Sequence, residues 1–138
     1  MLIMKTKFII PLIAAAVLTG CKVDSDSCPK IAQVPFESVE MPDSVKAGQE
    51  FTIDVKLYDY GCYTKTEVVG GVFSDTVYLE AYANYDECGC PAQSSNLQIA
   101  YRTRTDTSLH NATLYYVYMM VNATKDSVMV SCDSVRFY

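Results

Sequence analysis

The chain has no tryptophan, a single histidine among 138 residues, and fewer basic than acidic side chains. One histidine supplies little material for a histidine-rich metal site or a histidine-dependent catalytic centre. Eleven Lys and Arg against sixteen Asp and Glu give a net charge of −5, which disfavours nucleic acid as a partner because phosphate contacts need a basic surface. The 3.6-residue apolar period of a helix is also missing beyond residue 20.

Residues 1–20 have the three parts of a secretory signal. Lys5 and Lys7 form a positive start, an apolar segment runs from Phe8 to Val17, and small residues follow. About ten apolar residues are too few for a membrane-spanning helix, which needs about twenty. We therefore expect a cleaved signal peptide rather than a retained span.

Leu18-Thr19-Gly20-Cys21 resembles the lipobox of bacterial lipoproteins. In that family the cysteine thiol is diacylated, the chain is cut before it and the new amine is acylated, so the resemblance implies lipidation of Cys21. Several acyl chains hold a protein on a membrane, whereas one chain binds marginally. In Escherichia-type lipoproteins an Asp directly after the lipidated cysteine retains the protein in the inner membrane. Lys22 stands there instead, so the resemblance implies the outer membrane. Asp24 and Asp26 resemble the surface-export tether of Bacteroidota lipoproteins, although a solvated linker explains them equally well.

The remaining 118 residues suffice for one domain. Without Lys5 and Lys7, nine basic residues face sixteen acidic ones, a net charge of about −7. We divide the chain into the signal peptide, residues 1–20, the lipidated cysteine with its tether, residues 21–36, and a folded domain, residues 37–138.

Alternation of apolar and polar residues predicts strands throughout this domain. In the segment 51–57 it places Phe51, Ile53, Val55 and Leu57 on a buried face. In the segment 76–85 it places Val77, Leu79, Ala81 and Ala83 inward, and Tyr78, Glu80 and Tyr82 outward.

Five further strands are predicted with less regular patterns. They are an edge strand over residues 37–45 interrupted by Pro42, a short strand over 64–69 that ends at Gly70-Gly71, strands over 97–103 and 112–121, and a last strand over 127–138 with a bulge near Asp133-Ser134. About seven strands joined by short turns predict an antiparallel β-sandwich of immunoglobulin-like type. A small barrel is the alternative.

Three short motifs carry a resemblance to small Bacteroidota lipoproteins with an immunoglobulin-like domain. They are the hairpin-like segment Pro42–Phe51, Gly61-Cys62-Tyr63 and Cys90-Pro91-Ala92. The resemblance covers about residues 38–138. It implies a fold and a cellular location but no activity. The chain departs from the usual immunoglobulin core in having no tryptophan.

With Cys21 lipidated, an odd number of cysteines remains: Cys28, Cys62, Cys88, Cys90 and Cys132. An oxidising compartment favours two disulfides and one spare thiol, in any of fifteen arrangements. The resemblance pairs Cys62 with Cys90, and Cys88 is a close competitor. For the second bridge we favour Cys28 with Cys132, because the first and last strands of such sandwiches are often neighbours. The spacing of Cys88 and Cys90 is not that of a zinc knuckle, so no metal site is predicted.

Tyr78 and Tyr82 are the candidate binding residues, because outward tyrosines can stack on sugars or anchor a protein. High β-propensity is the plainer explanation. Four positions follow an Asp and precede a valine, Ser44, Thr76, Ser127 and Ser134, and this resembles the O-glycosylation acceptor of Bacteroidota secreted proteins. The same pattern is also typical of the start of a strand, where an Asp in the turn and a small hydroxyl residue precede the first β-branched core residue.

The sequence therefore predicts a lipid-anchored outer-membrane or surface lipoprotein that is a non-catalytic binding or structural module. Its expected partners are the membrane, through the anchor, and an envelope protein or glycan. We predict no catalytic residues, no metal and no cofactor. The rival prediction is a thiol-based redox or hydrolytic enzyme that uses Cys88 and Cys90.

Overall fold

Strands dominate the computed structural model, which describes residues 28–94 and 96–138. In chain order they are β1 Lys30–Val34, β2 Phe36–Glu40, β3 Ser44–Val45, β4 Glu50–Leu57, β5 Tyr63–Phe73, β6 Thr76–Tyr85, β7 Gln98–Arg104, β8 Thr113–Val121 and β9 Val128–Phe137. A single 3-10 turn, Thr107–Leu109, separates β7 from β8. None of the described residues forms a helix long and apolar enough to cross a membrane.

The strands form one curled, mixed sheet whose two halves face each other. One half holds β2, β4 and β7, and the other holds β5, β6, β8 and β9, with β1 beside β6 and β3 beside β9. The predicted all-β, sandwich-like fold is confirmed. It differs from a purely antiparallel sandwich in three parallel pairs, β2 with β8, β6 with β8 and β3 with β9, because the chain changes halves between these strands.

Pro35 marks the place where the chain first passes from one half to the other. Val34 pairs with Ala81 of β6, whereas Phe36 pairs with Leu57 of β4. Proline has no N–H to donate to a ladder, so a change of partner strand at this position leaves no donor unpaired. Its carbonyl accepts a hydrogen bond of 2.9 Å from the backbone N–H of Tyr58.

The core lies between the halves and is built from alternate residues of the central strands. The inward residues predicted for β4 and β6 are all buried. Edge-to-face ring contacts join the halves, at 5.6 Å between the centroids of Phe36 and Tyr118 and at 6.4 Å between those of Phe51 and Tyr116. Each such large apolar side chain contributes on the order of 2 kcal/mol through burial.

Several strand boundaries differ from the predictions. β5 runs through Gly70-Gly71 to Phe73, because β6 pairs with it along its whole length. The predicted edge strand is divided at Met41-Pro42 into β2 and β3. β1 and Cys28 lie within the residues assigned to the tether.

The bulge predicted near Asp133-Ser134 is wrong, since the register between β8 and β9 is unbroken from Val121↔Val128 to Thr113↔Arg136. A bulge is suggested by the sequence because Val128 and Val130 lie an odd number of residues before Val135 and Phe137, but Val128 and Val130 do not face the core. They are 48% and 73% exposed, whereas Val135 and Phe137 are fully buried on the opposite face.

Candidate functional site

An aromatic and aliphatic surface covers the outward side of β6 and β8, and we call it the outer tyrosine face. Tyr78 of β6 pairs with Val117 of β8, and the neighbouring pair is Thr76 with Tyr115. Tyr78 and Tyr115 are 48% and 45% exposed, so both rings have free surface beside Val117. The register therefore places two tyrosines from different strands near each other, as the alternation within β6 alone could not predict.

Tyr82 has a different environment from Tyr78, four residues away on the same strand. Its hydroxyl donates a hydrogen bond of 2.6 Å to Oε2 of Glu80. This hydrogen bond, followed by desolvation and the charge of Glu80, raises the pKa of Tyr82. Tyr82 lies between its strand partners, Gln33 of β1 and Glu67 of β5, and its side chain is only half-exposed. Tyr78 is therefore the more available of the two predicted binding residues.

A second aromatic group, which the sequence analysis missed, lies just after β4 and consists of the half-buried Tyr58 and the exposed Tyr60. The rings of Tyr58 and Tyr60 are 4.8 Å apart in an edge-to-face arrangement, and Nζ of Lys125 lies 5.8 Å from the centroid of Tyr58. Lys125 and Lys56 both approach Glu37, at 3.6 and 2.9 Å. The hydrogen bond from Lys56 is the main reason that the pKa of Glu37 is lowered. The two lysines and Glu37 leave one net positive charge beside the ring pair.

Two disulfides lie in the described part of the chain. Cys62 is bonded to Cys90, which is the pair that the resemblance implied, and Cys28 is bonded to Cys88. The predicted bridge between Cys28 and Cys132 is wrong, because Lys30 of β1 pairs with Tyr85 of β6 and so brings Cys28 to the loop after β6. Cys132 is exposed and forms no disulfide with any other described residue. It lies on the outer face of β9, opposite Val117.

The loop that carries both bridges is organised by Asp86. Its Oδ1 accepts hydrogen bonds of 3.0 Å from the backbone N–H groups of Cys88 and Gly89, and its own N–H donates to the carbonyl of Cys62. The carboxylate also lies within 4.8 Å of the sulfurs of Cys28 and Cys88. These sulfurs are bonded to each other, so they do not offer thiolate ligands to a metal in this state.

A cleft of about 260 Å³ opens between β5 and β7 at the side of the sandwich. Apolar side chains, among them Val77 and Leu114, form its floor, and Tyr101, Tyr116 and Thr105 line it with hydroxyl-bearing side chains. Burial is the main cause that raises the pKa of Tyr116 to about 12, and the electrostatic interaction with Tyr101 adds to it. The Oγ1 atom of Thr105 is buried and has no hydrogen-bond partner among residues 28–94 and 96–138.

The O-glycosylation candidates differ in accessibility. Ser44, Ser127 and Ser134 are exposed, whereas Thr76 is half-buried and donates a hydrogen bond of 3.1 Å to Oδ1 of Asp75. Ser127 accepts a hydrogen bond from Nδ2 of Asn122 at 2.5 Å, which fixes the turn before β9. The predicted lipidation site, Cys21, and the signal peptide lie outside the described residues.

Comparison of this chain with protein-family models, with curated proteins and with solved structures found no match.

Proposed function

We propose that this chain is a lipid-anchored lipoprotein of the bacterial outer membrane or cell surface, and that it acts as a non-catalytic binding or structural module. In this proposal Cys21 carries the acyl chains, and the outer tyrosine face binds an envelope protein or a glycan. The observation that carries the proposal is the pair Tyr78 and Tyr115, both about half exposed on adjacent strands. Rigid aromatic rings lose little entropy on binding and are enriched where proteins bind partners.

Binding of the full-length protein, solubilised in detergent, to immobilised envelope polysaccharide and to purified outer-membrane proteins tests the proposed face. Tyr78→Ala is expected to weaken binding by at least about tenfold, and Tyr82→Ala by less, because Glu80 already engages its hydroxyl. Tyr138→Ala is the matched control, since Tyr138 is 59% exposed at the end of the chain. If Tyr78→Ala and Tyr138→Ala weaken binding equally, the outer tyrosine face is not the binding surface.

The anchor has its own test, partitioning between detergent and aqueous phases. Wild-type protein is expected in the detergent phase, and Cys21→Ala is expected in the aqueous phase or as unprocessed precursor. If Cys21→Ala is processed and partitions like wild type, the lipoprotein proposal fails while the binding proposal stands.

O-glycosylation at the four candidate positions is a separate part of the proposal. The intact mass of protein expressed in a Bacteroidota host should exceed that of the lipidated polypeptide. Ser44→Ala, Ser127→Ala and Ser134→Ala should each remove one mass step, because these side chains are exposed. Thr76→Ala should have the smallest effect, since Thr76 is half-buried. A mass equal to that of the polypeptide plus lipid would show that the four positions are not glycosylated and that the motif only reflects residue preferences of turns.

The second candidate is a thiol-based redox or hydrolytic enzyme. The observation that favours it is the position of Cys88 and Cys90 on either side of Gly89 in an exposed loop, each belonging to a different disulfide. Exchange between such neighbouring bridges would need a low-pKa thiolate at one of them. Alkylation of the native Cys132→Ser protein near neutral pH, followed by mass mapping, separates the candidates. Fast labelling at Cys88 or Cys90 supports the enzyme, and its absence supports the binding module.

A further inference from the structure

The cleft between β5 and β7 reaches the core of the sandwich. Its volume is about 260 Å³, and three of the residues that line it, Val77, Leu114 and Tyr116, are no more than 5% exposed. A closed apolar cavity of about 150 Å³ is large enough to hold benzene. The floor of this cleft therefore offers an apolar surface for a single ring or a branched aliphatic group, with space for a short polar head at the mouth.

Two opposite charges lie at the mouth of this cleft. Arg104 and Asp106 both line it, and both side chains are exposed. The strand partner of Arg104 on β4 is Glu50, a third charged residue. Among the described residues, however, Arg104 forms an ion pair with neither carboxylate. The guanidinium group, with its five N–H donors, is therefore available to a carboxylate that enters the cleft.

The carboxylate of Asp106 is oriented by the turn that follows it. Its Oδ1 atom accepts a hydrogen bond of 2.8 Å from the N–H of Ser108. The hydrogen bonds from Ser108 are the main cause that lowers the pKa of Asp106, so this group is ionised at neutral pH. An ionised carboxylate has about four acceptor positions, which leaves capacity for an ammonium group.

Thr105, between the two charged residues, adds a hydroxyl group. Its Oγ1 atom is buried and has no hydrogen-bond partner among residues 28–94 and 96–138. The residue itself is half-buried and lines the cleft. Rotation of the side chain to another staggered rotamer would turn this hydroxyl from its buried position towards the cleft. A polar group of a ligand would then supply the missing hydrogen bond.

We propose that this cleft binds a free α-amino acid whose apolar side chain is about as large as that of leucine or phenylalanine. The apolar side chain of the ligand lies on the floor of the cleft. Its carboxylate is bound by Arg104, its ammonium group is bound by Asp106, and the hydroxyl of Thr105 contacts one of these two groups. The site shares no residue with the outer tyrosine face.

The charges favour a zwitterion over a simple acid or a simple amine. At neutral pH a free amino acid carries one positive and one negative charge. Sixteen acidic residues against eleven basic ones cause the chain to repel a monocarboxylate. A simple amine would leave the guanidinium group of Arg104 without a carboxylate. A zwitterion has no net charge and matches both groups at the mouth of the cleft.

Isothermal titration calorimetry on full-length protein in lipid nanodiscs, with empty nanodiscs as the blank, tests the class of ligand. L-phenylalanine is expected to bind at least about fivefold more tightly than phenylacetate, which lacks the ammonium group, and than 2-phenylethylamine, which lacks the carboxylate. Glycine, which has no apolar side chain, should bind at least about tenfold more weakly. A smaller difference for any of the three would overturn the proposal, and so would no binding of L-phenylalanine or L-leucine up to about 1 mM.

Variants that remove one charge test which residue binds which group. Arg104→Gln is expected to weaken binding of L-phenylalanine at least about fivefold but to leave that of 2-phenylethylamine within about twofold of wild type. Asp106→Asn should weaken L-phenylalanine by as much and leave phenylacetate within about twofold, because asparagine retains an oxygen that accepts from the N–H of Ser108. Arg102→Gln is the matched control, since Arg102 is exposed on the same strand but does not line the cleft. Equal effects of Arg104→Gln and Arg102→Gln would overturn the site.

Thr105→Val separates binding from stability. Valine keeps the shape of threonine without its hydroxyl, so this variant is expected to bind L-phenylalanine at least about threefold more weakly, yet to unfold at a higher denaturant concentration than wild type. A loss of affinity in a more stable protein does not come from unfolding. Unchanged affinity would overturn the contact with Thr105. None of these ligands or variants involves Tyr78 or Tyr115, so a failure here is distinct from a failure of the outer tyrosine face.

Discussion

The hydroxyl of Tyr101 on β7 occupies the space that a Cβ atom on Gly70 of β5 would need. The two residues bring the facing edges of the sandwich halves into contact beside the cleft. A close approach of this kind, rather than a left-handed backbone, is what requires glycine at position 70. At Gly71, its neighbour, no atom of the described residues lies within 4 Å of the corresponding position.

Gly70→Ala is therefore expected to lower the free energy of unfolding by about 2 kcal/mol through overpacking, whereas Gly71→Ala should change it by less than about 0.5 kcal/mol. Tyr101→Phe should recover at least half of the loss in the Gly70→Ala background, because it removes the clashing oxygen. Urea denaturation measures all three changes. Equal stability of Gly70→Ala and Gly71→Ala would show that the β5–β7 contact does not constrain this position.

The bridge between Cys62 and Cys90 is expected to be a principal source of stability. It joins residues 28 apart in sequence, and closing such a loop contributes roughly 3 to 4 kcal/mol in the chain-entropy model. Cys62→Ala with Cys90→Ala should lose about that amount in denaturant unfolding. Cys132→Ala, which removes an exposed thiol that belongs to neither of these two bridges, should stay within about 0.5 kcal/mol of wild type. The prediction fails if the two proteins unfold at the same denaturant concentration.

Alkaline unfolding should depend on two buried tyrosines. Burial is the largest cause that raises the pKa of both Tyr63 and Tyr116 from 10.0 to about 12. The unfolded chain ionises these hydroxyls more readily, so their contribution to stability is complete below pH 10 and is lost as the pH rises towards 12.

Tyr116→Phe removes one of these groups and should shift the alkaline transition to higher pH, as followed by circular dichroism and tyrosinate absorbance. Tyr115→Phe, at the exposed neighbour, should leave the transition in place. Superimposable curves for Tyr116→Phe and wild type would contradict the assignment.

Thr105 should be a site where an isosteric apolar residue stabilises the fold. Its buried hydroxyl has no partner in the part of the chain that the structure describes, and a buried unsatisfied group costs about 1 to 3 kcal/mol. Thr105→Val should therefore raise the free energy of unfolding by about 1 kcal/mol. Thr124→Val is the comparison, because Oγ1 of Thr124 donates a hydrogen bond of 3.0 Å to Oδ1 of Asn122, so no gain is expected there. A Thr105→Val protein no more stable than wild type would mean that the hydroxyl is satisfied in solution.

Two strands illustrate how far alternation predicts burial. In β4 and β6 the apolar residues alternate and the buried residues are the predicted ones, because these strands have one core face and one solvated face. In β9 the same reasoning predicted a bulge that does not exist. A bulge would be needed only if Val128 and Val130 faced the core. They lie on the outer face, where an apolar residue has no local signature that separates it from a core residue.

The sequence by itself determined the strand content and the inward and outward faces of β4 and β6, because strand periodicity is a property of neighbouring residues. It also determined that the cysteines would be odd in number once Cys21 carries lipid, which remains a proposal. Only the tertiary structure decided that Cys28 is bonded to Cys88, that Tyr78 and Tyr115 share a face, and that Val128 and Val130 lie outside the core. These relationships depend on which distant strands pair and in which register, and that is settled by burial of the whole core rather than by any local pattern.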